Sequence, residues 1–333
     1  MIAGAALAAW LSDREAQKRS HDRVEDSARY WSGEPLMADL ERELSDLSEP
    51  SAAAVLAAAR RFLDRSGEIE ALMADLIGSS RSDPFFRPPF HPSVGEVHTA
   101  LLLFHDPVLS IALAVSGVDS IAAKKAGRSG KASIGFNGMV TLFRYVKAGG
   151  ATISFWEAPP ITAEFVAPQA GRCRFVERRR IEDGEEILVD GRYQSFVIEH
   201  AASDMVYFQA LVRPDSAPVA VEYDSETLSF IGASSSDEGA SRVQMMASVL
   251  RAMERTDAMP LLEEALASPH FYTRWHVMRE LLALDAEAAL PALHRMAIQD
   301  PHPEVRAAAR QTLDIFFEDE TEGPGWEAMQ CRA

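Results

Sequence analysis

The spacing of apolar positions changes character twice along the chain. Over the first 80 residues it is helical. Residues Ser51–Arg65 (SAAAVLAAARRFLDR) join an alanine-rich run to a serine placed to cap its start. Ile69, Leu72, Met73, Leu76 and Ile77 carry the same spacing on to Gly78 and Ser79. Met1–Leu11 (MIAGAALAAWL) reads as a further helix with one buried face. It is too short to span a bilayer, which takes about 20 apolar residues, and it lacks the basic start of a signal peptide. Between Asp83 and Pro92, four prolines in DPFFRPPFHP stop any helix and predict a boundary.

From Val97 onward the runs shorten and become strand-like. Val97–Phe104 and Val108–Val115 are separated by Asp106-Pro107, and Met139–Lys147 and Ala151–Glu157 flank Ala148-Gly149-Gly150, which predicts a hairpin turn. Further strands are predicted at Ile161–Val166, Arg172–Arg180, Glu186–Val189, Tyr193–Glu199, Met205–Val212, Val219–Tyr223 and Leu228–Ile231. Residues 118–138 read as a Gly/Ser/Lys-rich loop. About ten short strands at regular spacing predict an antiparallel sandwich or barrel. After Gly239 the helical period returns and holds to Phe317. The fold class is α+β: a helical N-terminal segment (1–82), a β domain (83–235), a helical stack (236–318) and an acidic tail (319–333).

The last helical region repeats itself. Ser268-Pro269-His270, Arg274 and Leu281 recur 32 residues later as Asp300-Pro301-His302, Arg306 and Leu313. Pro260 and Pro291, 31 residues apart, are placed to open the preceding helices. A period just above 30 with two helices per unit predicts a helical solenoid. DPHPEVRAAARQTL (Asp300–Leu313) resembles the second helix of a HEAT repeat, as SPHFYTRWHVMREL (Ser268–Leu281) does more weakly. The resemblance implies a right-handed stack of antiparallel helix pairs that docks a protein partner. It also implies that Arg306 bridges groups of the turn before it.

Ile181–Ala201 (IEDGEEILVDGRYQSFVIEHA) resembles the later half of a cupin, a small jelly roll that in many members holds a metal on three histidines and a glutamate. With the first cupin motif started at Gly150, its histidine positions are occupied by Trp156 and Ala158, its glutamate by Glu164 and its closing glycine by Gly171. Gln194 stands at the histidine of the second motif. Only Glu164 remains of the four ligands, and divalent first-row metals prefer imidazole. The resemblance therefore implies a pocket without the inherited metal. It leaves open a cupin-type metal-dependent enzyme, an oxygenase or isomerase, holding a divalent transition metal on an atypical ligand set.

Composition narrows the choice. The chain has 333 residues, 47% hydrophobic and 25% charged, as in globular proteins of about two domains. The two cysteines, Cys173 and Cys331, form no CxxC motif and fit a reducing, cytoplasmic setting. A net charge of −17 argues against nucleic-acid or anionic-membrane partners. Yet residues 121–180 hold 11 basic and 3 acidic side chains, +8, between flanks of −8 and −17. Strand alternation puts Arg172, Arg174, Arg178 and Arg180 on one face. Inside a barrel they would form a pocket for an anionic small molecule; outside it they would pair with the acidic helical stack. Gly127–Ser133 departs from the phosphate-loop spacing. His91, His98 and His105 are not spaced to converge as metal ligands, and GxSxG, HExxH and GxGxxG are absent. No catalytic residue is assigned. The candidate ligand-binding residues are Trp156, Glu164, Arg172, Arg174 and Gln194. The reading is of a binding protein whose β domain holds a small or peptidic ligand, with no cofactor.

Overall fold

Five helices open the chain: α1 (Gly4–Ser12), α2 (Arg14–Gly33), α3 (Pro35–Ser45), α4 (Ala52–Asp64) and α5 (Ser66–Ser82). The structure is a computed structural model that describes residues 4–127, 133–162 and 165–318. Ser51 caps α4 by accepting from the Ala54 amide at 3.3 Å. Pro35 sits in the first turn of α3, where its missing N–H costs nothing. The buried face of α4 is Val55, Leu56, Ala58, Ala59, Phe62 and Leu63, and that of α5 is Ile69, Leu72 and Leu76. The 3.6-residue spacing thus becomes one wall of a core. α1 differs from expectation, because none of its residues is buried. Trp10 stacks on Phe85 and donates to the Ser20 hydroxyl, and Gln17 donates to the Trp10 and Leu11 carbonyls.

Among the described residues twelve strands follow: β1 (His91–Val94), β2 (His98–His105), β3 (Leu109–Ser116), β4 (Ser133–Phe136), β5 (Val140–Lys147), β6 (Thr152–Glu157), β7 (Arg174–Arg180), β8 (Glu186–Asp190), β9 (Gln194–His200), β10 (Met205–Val212), β11 (Val219–Asp224) and β12 (Phe230–Ser235). They form an antiparallel six-stranded sheet in the order β1-β2-β3-β10-β5-β8, a sheet β7-β6-β9, and a sheet β12-β11-β4. β4 runs beside β9. The central strands of the large sheet are buried on both faces. Val140 and Leu142 of β5 and Phe208, Ala210 and Val212 of β10 share a core with Leu36, Leu40, Phe62 and Leu72 of the helices. On the other face, Tyr145, Met205 and Tyr207 pack with Ile153 of β6 and with Ile187 and Val189 of β8. Burial on both faces explains why these strands read as nearly continuous apolar runs.

Three local expectations are overturned. Residues 118–138 are not simply a loop: Val118–Gly127 forms helix α6 and β4 follows within the same span. Ala148-Gly149-Gly150 is not a hairpin, because β5 and β6 lie in different sheets and the turn carries the chain between them. Its geometry demands glycine: Gly149 has φ +63°, and a Cβ there would collide with the Ser203 carbonyl. Finally, Ile161–Val166 forms no strand among its described residues. Pro159 and Pro160 precede it, and its backbone bonds the helical stack instead: the Phe165 carbonyl meets His302 Nε2 at 3.2 Å, and the Ala167 amide donates to Glu304 at 3.1 Å.

The chain divides into two compact units. One holds α1–α6 and most of the strands; the other holds residues 161–170, 218–220 and everything from 233 onward. In the second unit α7 (Glu238–Ala252), α8 (Met259–Ala265), α9 (Phe271–Leu284), α10 (Ala286–Gln299) and α11 (Pro303–Glu318) stack in sequence. Asp237 and Asp285 cap α7 and α10 through the Ala240 and Ala288 amides. Pro260 lies in the first turn of α8, as expected, but Pro291 lies inside α10. The Asp285 cap starts that helix six residues before the proline. Met278, Leu293, Met296, Val305 and Ala309 form the core between α9, α10 and α11. No helix among the described residues is long and apolar enough to cross a membrane.

Candidate binding sites

In the β unit, a cavity of about 270 Å³ opens beside β7 and β8, the edge strands of the two sheets. Its walls are Phe155, Trp156 and Glu157 of β6, Val176, Glu177 and Arg179 of β7, Glu186–Val189 of β8, and Gln194 and Ser195 of β9. Directly paired residues of neighbouring strands share a face. Ile153 and Phe155 face the core, and their ladder partners Arg179 and Glu177 lie on the same side of the sheet, with Arg179 half-buried and Glu177 exposed. The Arg179 guanidinium lies 5.1 Å from the Phe155 ring centroid and bonds Glu185 at 2.5 Å.

The residues expected to bind ligand are distributed unevenly. Trp156 and Gln194 line the cavity. Trp156 makes an edge contact with Phe175 at 5.5 Å, and its indole Nε1 is buried without a hydrogen-bond partner. Gln194 uses its carbonyl to accept from the Asp190 amide. Arg172 and Arg174 do not line the cavity. Arg172 bridges the backbone of Ser229, and Arg174 pairs with Glu157. Arg178 bonds Ser154 and Glu199, and Arg180 lies 3.9 Å from Glu182. Each of the four arginines thus has a partner within the protein. Glu164, Arg128 and Lys131 lie outside the described residues.

Arg179 was the arginine that alternation did not single out. The signal was available one strand away: Ile153 and Phe155 are the apolar pair of β6, and the arginine opposite them must share their side.

The carboxylates of the cavity each have an arginine beside them, Glu177 lying 3.5 Å from Arg179. Glu157 is held by Arg174, and Glu186 is held by Arg60 and Arg144. No group of three or more His, Cys, Asp or Glu able to hold a metal occurs among the described residues. Cys173 is buried, and that burial raises its thiol pKa, which makes it a poor nucleophile.

In the helical unit the repeat is chemical as well as spatial. Arg274 Nη1 donates to the carbonyls of Ser268 (2.9 Å) and Pro269 (3.1 Å), and Arg306 Nη1 donates to those of Asp300 (2.6 Å) and Pro301 (2.9 Å). Arg274 also grips the Asp300 carboxylate with two bonds of 2.7 Å. Burial works to raise the Asp300 carboxyl, but the Arg274 bonds and the His302 amide more than offset it and hold it below its ordinary value. Arg242, 32 residues before Arg274, does not repeat the pattern and pairs with Glu238.

A second cavity, about 380 Å³, lies on the face made by α7, α9 and α11. Phe271, Tyr272 and Trp275 give it aromatic walls, with Gln244, His276, Arg279 and Glu304 around them. The Phe271 and His302 rings stack at 3.9 Å. Below the groove Glu280 accepts from Ser248 (2.7 Å) and Arg251 (2.8 Å), which locks α7 to α9. Sequence periodicity found α9 but not this groove, because an aromatic stripe at helical spacing reads equally as core.

Residues 233–314 match the model of the HEAT-repeat family. No curated protein matches the chain. Similar solved structures include ectoine synthase from P. lautus, with 13% identity over 37% of this chain and 69% of that one, TM-score 0.23. They also include a cupin domain from Bordetella pertussis, with 8% identity over 36% and 98%, TM-score 0.22. A third is a sugar phosphate isomerase of a cupin superfamily from Silicibacter pomeroyi, with 9% identity over 44% and 87%, TM-score 0.24. The HEAT-like reading of the C-terminal repeat has its counterpart in the family match over residues 233–314.

Proposed function

We propose that this protein is a non-catalytic binding protein: its HEAT-like repeats dock a protein partner and its β domain holds a small or peptidic ligand. The observation that carries the reading is the aromatic groove of Phe271, Tyr272 and Trp275, set between α7 and α11 in a repeat type built to present such faces. Aromatic side chains flanked by an arginine and a glutamate are the usual anchors of protein recognition. The β domain supports the second half of the reading. Its strands fall into two layers, β3-β10-β5-β8 and β4-β9-β6-β7, an order that supports the jelly-roll reading. Its cavity offers the unpartnered Trp156 indole N–H and an aromatic wall to a ligand that carries an acceptor. The carboxylates there are neutralised by arginines, which favours binding over acid–base chemistry.

The test is quantitative capture with the full chain. Partners retained by the wild type should be lost with Trp275→Ala and with Arg279→Glu, while both variants keep the wild-type circular dichroism. Retention by both variants would reject the groove. Native mass spectrometry of protein purified without chelator tests the cavity: a bound organic mass lost with Trp156→Ala supports ligand holding. About one equivalent of iron, manganese or zinc, removed by Glu164→Ala, would replace this reading with the metalloenzyme one.

A further inference from the structure

The cavity of the β unit touches the rim of a sheet rather than its face. β8 gives its wall four consecutive residues, Glu186, Ile187, Leu188 and Val189. Consecutive side chains of a strand point to opposite faces, so what these four share is the backbone edge of β8. β8 ends the six-stranded sheet, and among the described residues no strand pairs with its outer side. The hydrogen bonds at its two ends fix which backbone groups point outward. The Glu185 carbonyl accepts from the Tyr145 amide, and the Gly191 amide donates to the Met139 carbonyl. In an antiparallel ladder the bonded residues alternate, so residues 185, 187, 189 and 191 bond toward β5, and residues 186, 188 and 190 turn their N–H and C=O groups outward. At Asp190 both outward groups are taken. Its amide donates to Gln194 Oε1 at 3.2 Å, and its carbonyl accepts from the Tyr193 amide at 3.1 Å. Glu186 and Leu188 are the outward residues that remain on the cavity wall.

We infer that the ligand of this cavity is an extended peptide that joins the sheet as a further strand beside β8. This rests on the reading that the cavity holds a ligand, and it names the class of that ligand. Two observations favour a peptide backbone over a compact small molecule. First, the outward groups of Glu186 and Leu188 recur every second residue, about 7 Å apart, the repeat at which another strand presents its own N–H and C=O groups. The next position of the same row is already filled by amides of this chain, one of them the Gln194 side chain. Second, β8 is a regular edge, because its ladder with β5 runs from Glu186 to Asp190 without a register shift. The edge strand across the cavity, β7, is blunted. Its ladder shifts register next to Trp156, and its Arg180 carbonyl accepts from Arg179 Nη1 at 3.4 Å. The added strand therefore pairs with β8. Its residues opposite Ile187 and Val189 share their face and pack into the core that also holds Phe155. Its residues opposite Glu186 and Leu188 turn to the other face. The peptide recognised is one with an apolar side chain at every second position.

The experiment uses the full chain and a phage-displayed library of random peptides of about twelve residues, a length that spans β8 with overhang. Enriched sequences should alternate apolar and polar residues, and the enriched peptide is then synthesised. Methylating its backbone nitrogens at one parity should weaken binding at least about tenfold, the worth of one or two hydrogen bonds, and at the other parity less than about threefold. In the protein, Leu188→Pro removes an outward N–H and no bond to β5, so it should weaken binding by about tenfold or more, whereas Leu188→Thr should change it less than about threefold. Both variants should keep the wild-type circular dichroism; if Leu188→Pro fails to fold, the methylation series decides. No enriched peptide, or binding equally sensitive to methylation at both parities or at neither, overturns the inference. A small organic mass that is lost with Trp156→Ala, with no peptide enriched, overturns the peptide and keeps the ligand-holding reading. Neither a bound mass nor an enriched peptide overturns both.

Discussion

Replacing Arg274 by alanine should be the most damaging single change in the helical unit. The side chains of Arg274 and Asp300 are 8% and 4% exposed and joined by two bonds of 2.7 Å. The substitution also strands the Ser268 and Pro269 carbonyls. Removing one partner of a buried ion pair costs about 3–5 kcal/mol, mostly because the remaining charge stays buried. Here Asp300 keeps the His302 amide at 2.8 Å, so the lower half of that range, about 3–4 kcal/mol, is expected.

The pH dependence has a definite sign. In the wild type the Asp300 carboxyl is held below its ordinary value of 3.8. The pair's contribution is therefore fully present above about pH 4 and is lost as pH falls through the folded-state value. In Arg274→Ala burial is opposed by only the His302 amide and the nearby His302 ring, without the Arg274 bonds and charge, so protonating Asp300 becomes easier. The gap between the two proteins should narrow below about pH 4. Two units make a single unfolding free energy ill-defined, so the assay is hydrogen exchange read on peptides spanning 268–313, at neutral pH and below pH 4. A loss under about 1 kcal/mol at neutral pH, or a gap that does not narrow in acid, would refute the argument. A double-mutant cycle with Asp300→Ala should show strong coupling.

Other expectations follow from the same geometry. Arg306→Ala loses two turn carbonyls without stranding a charge, so it should cost about 1–3 kcal/mol, and an unchanged melting temperature would count against the repeat as drawn. Gly149→Ala meets both a positive φ and the Ser203 carbonyl, so the β unit should lose more than about 1 kcal/mol by thermal melting. Burial tends to raise the Glu280 carboxyl, but the Ser248 and Arg251 bonds hold it below its ordinary value of 4.5. Glu280→Gln should therefore loosen α7 by about 1 kcal/mol at neutral pH, and the difference should fade below about pH 4, measured by exchange on residues 238–252.

Much of the architecture was legible in the chain, because the relevant signals are local. Ser51 and the alanines of α4, the strand-length runs from His98 to Asp224, and the 32-residue recurrence of Arg274 and Arg306 each depend on neighbours within a few residues or on strict periodicity. Propensity, capping and period act over one or two turns, so one sequence suffices to read them. Trp156 and Gln194 were reached through the cupin resemblance, and both stand on the cavity wall.

What the sequence could not decide was pairing. Ala148-Gly149-Gly150 has the composition of a hairpin, yet β5 and β6 belong to different sheets, because β10 and β8 take the two sides of β5. Ile161–Val166 has the composition of a strand, yet its carbonyl at Phe165 and the nearby amide of Ala167 find partners on His302 and Glu304, about 137 residues away. Arg179, rather than Arg172 or Arg174, reached the cavity because Ile153 and Phe155 stand opposite it across the ladder. A residue's period along the chain determines which neighbours share its face. Which face is covered depends on partners brought together by closure of the whole core, and that information is held only in the tertiary structure.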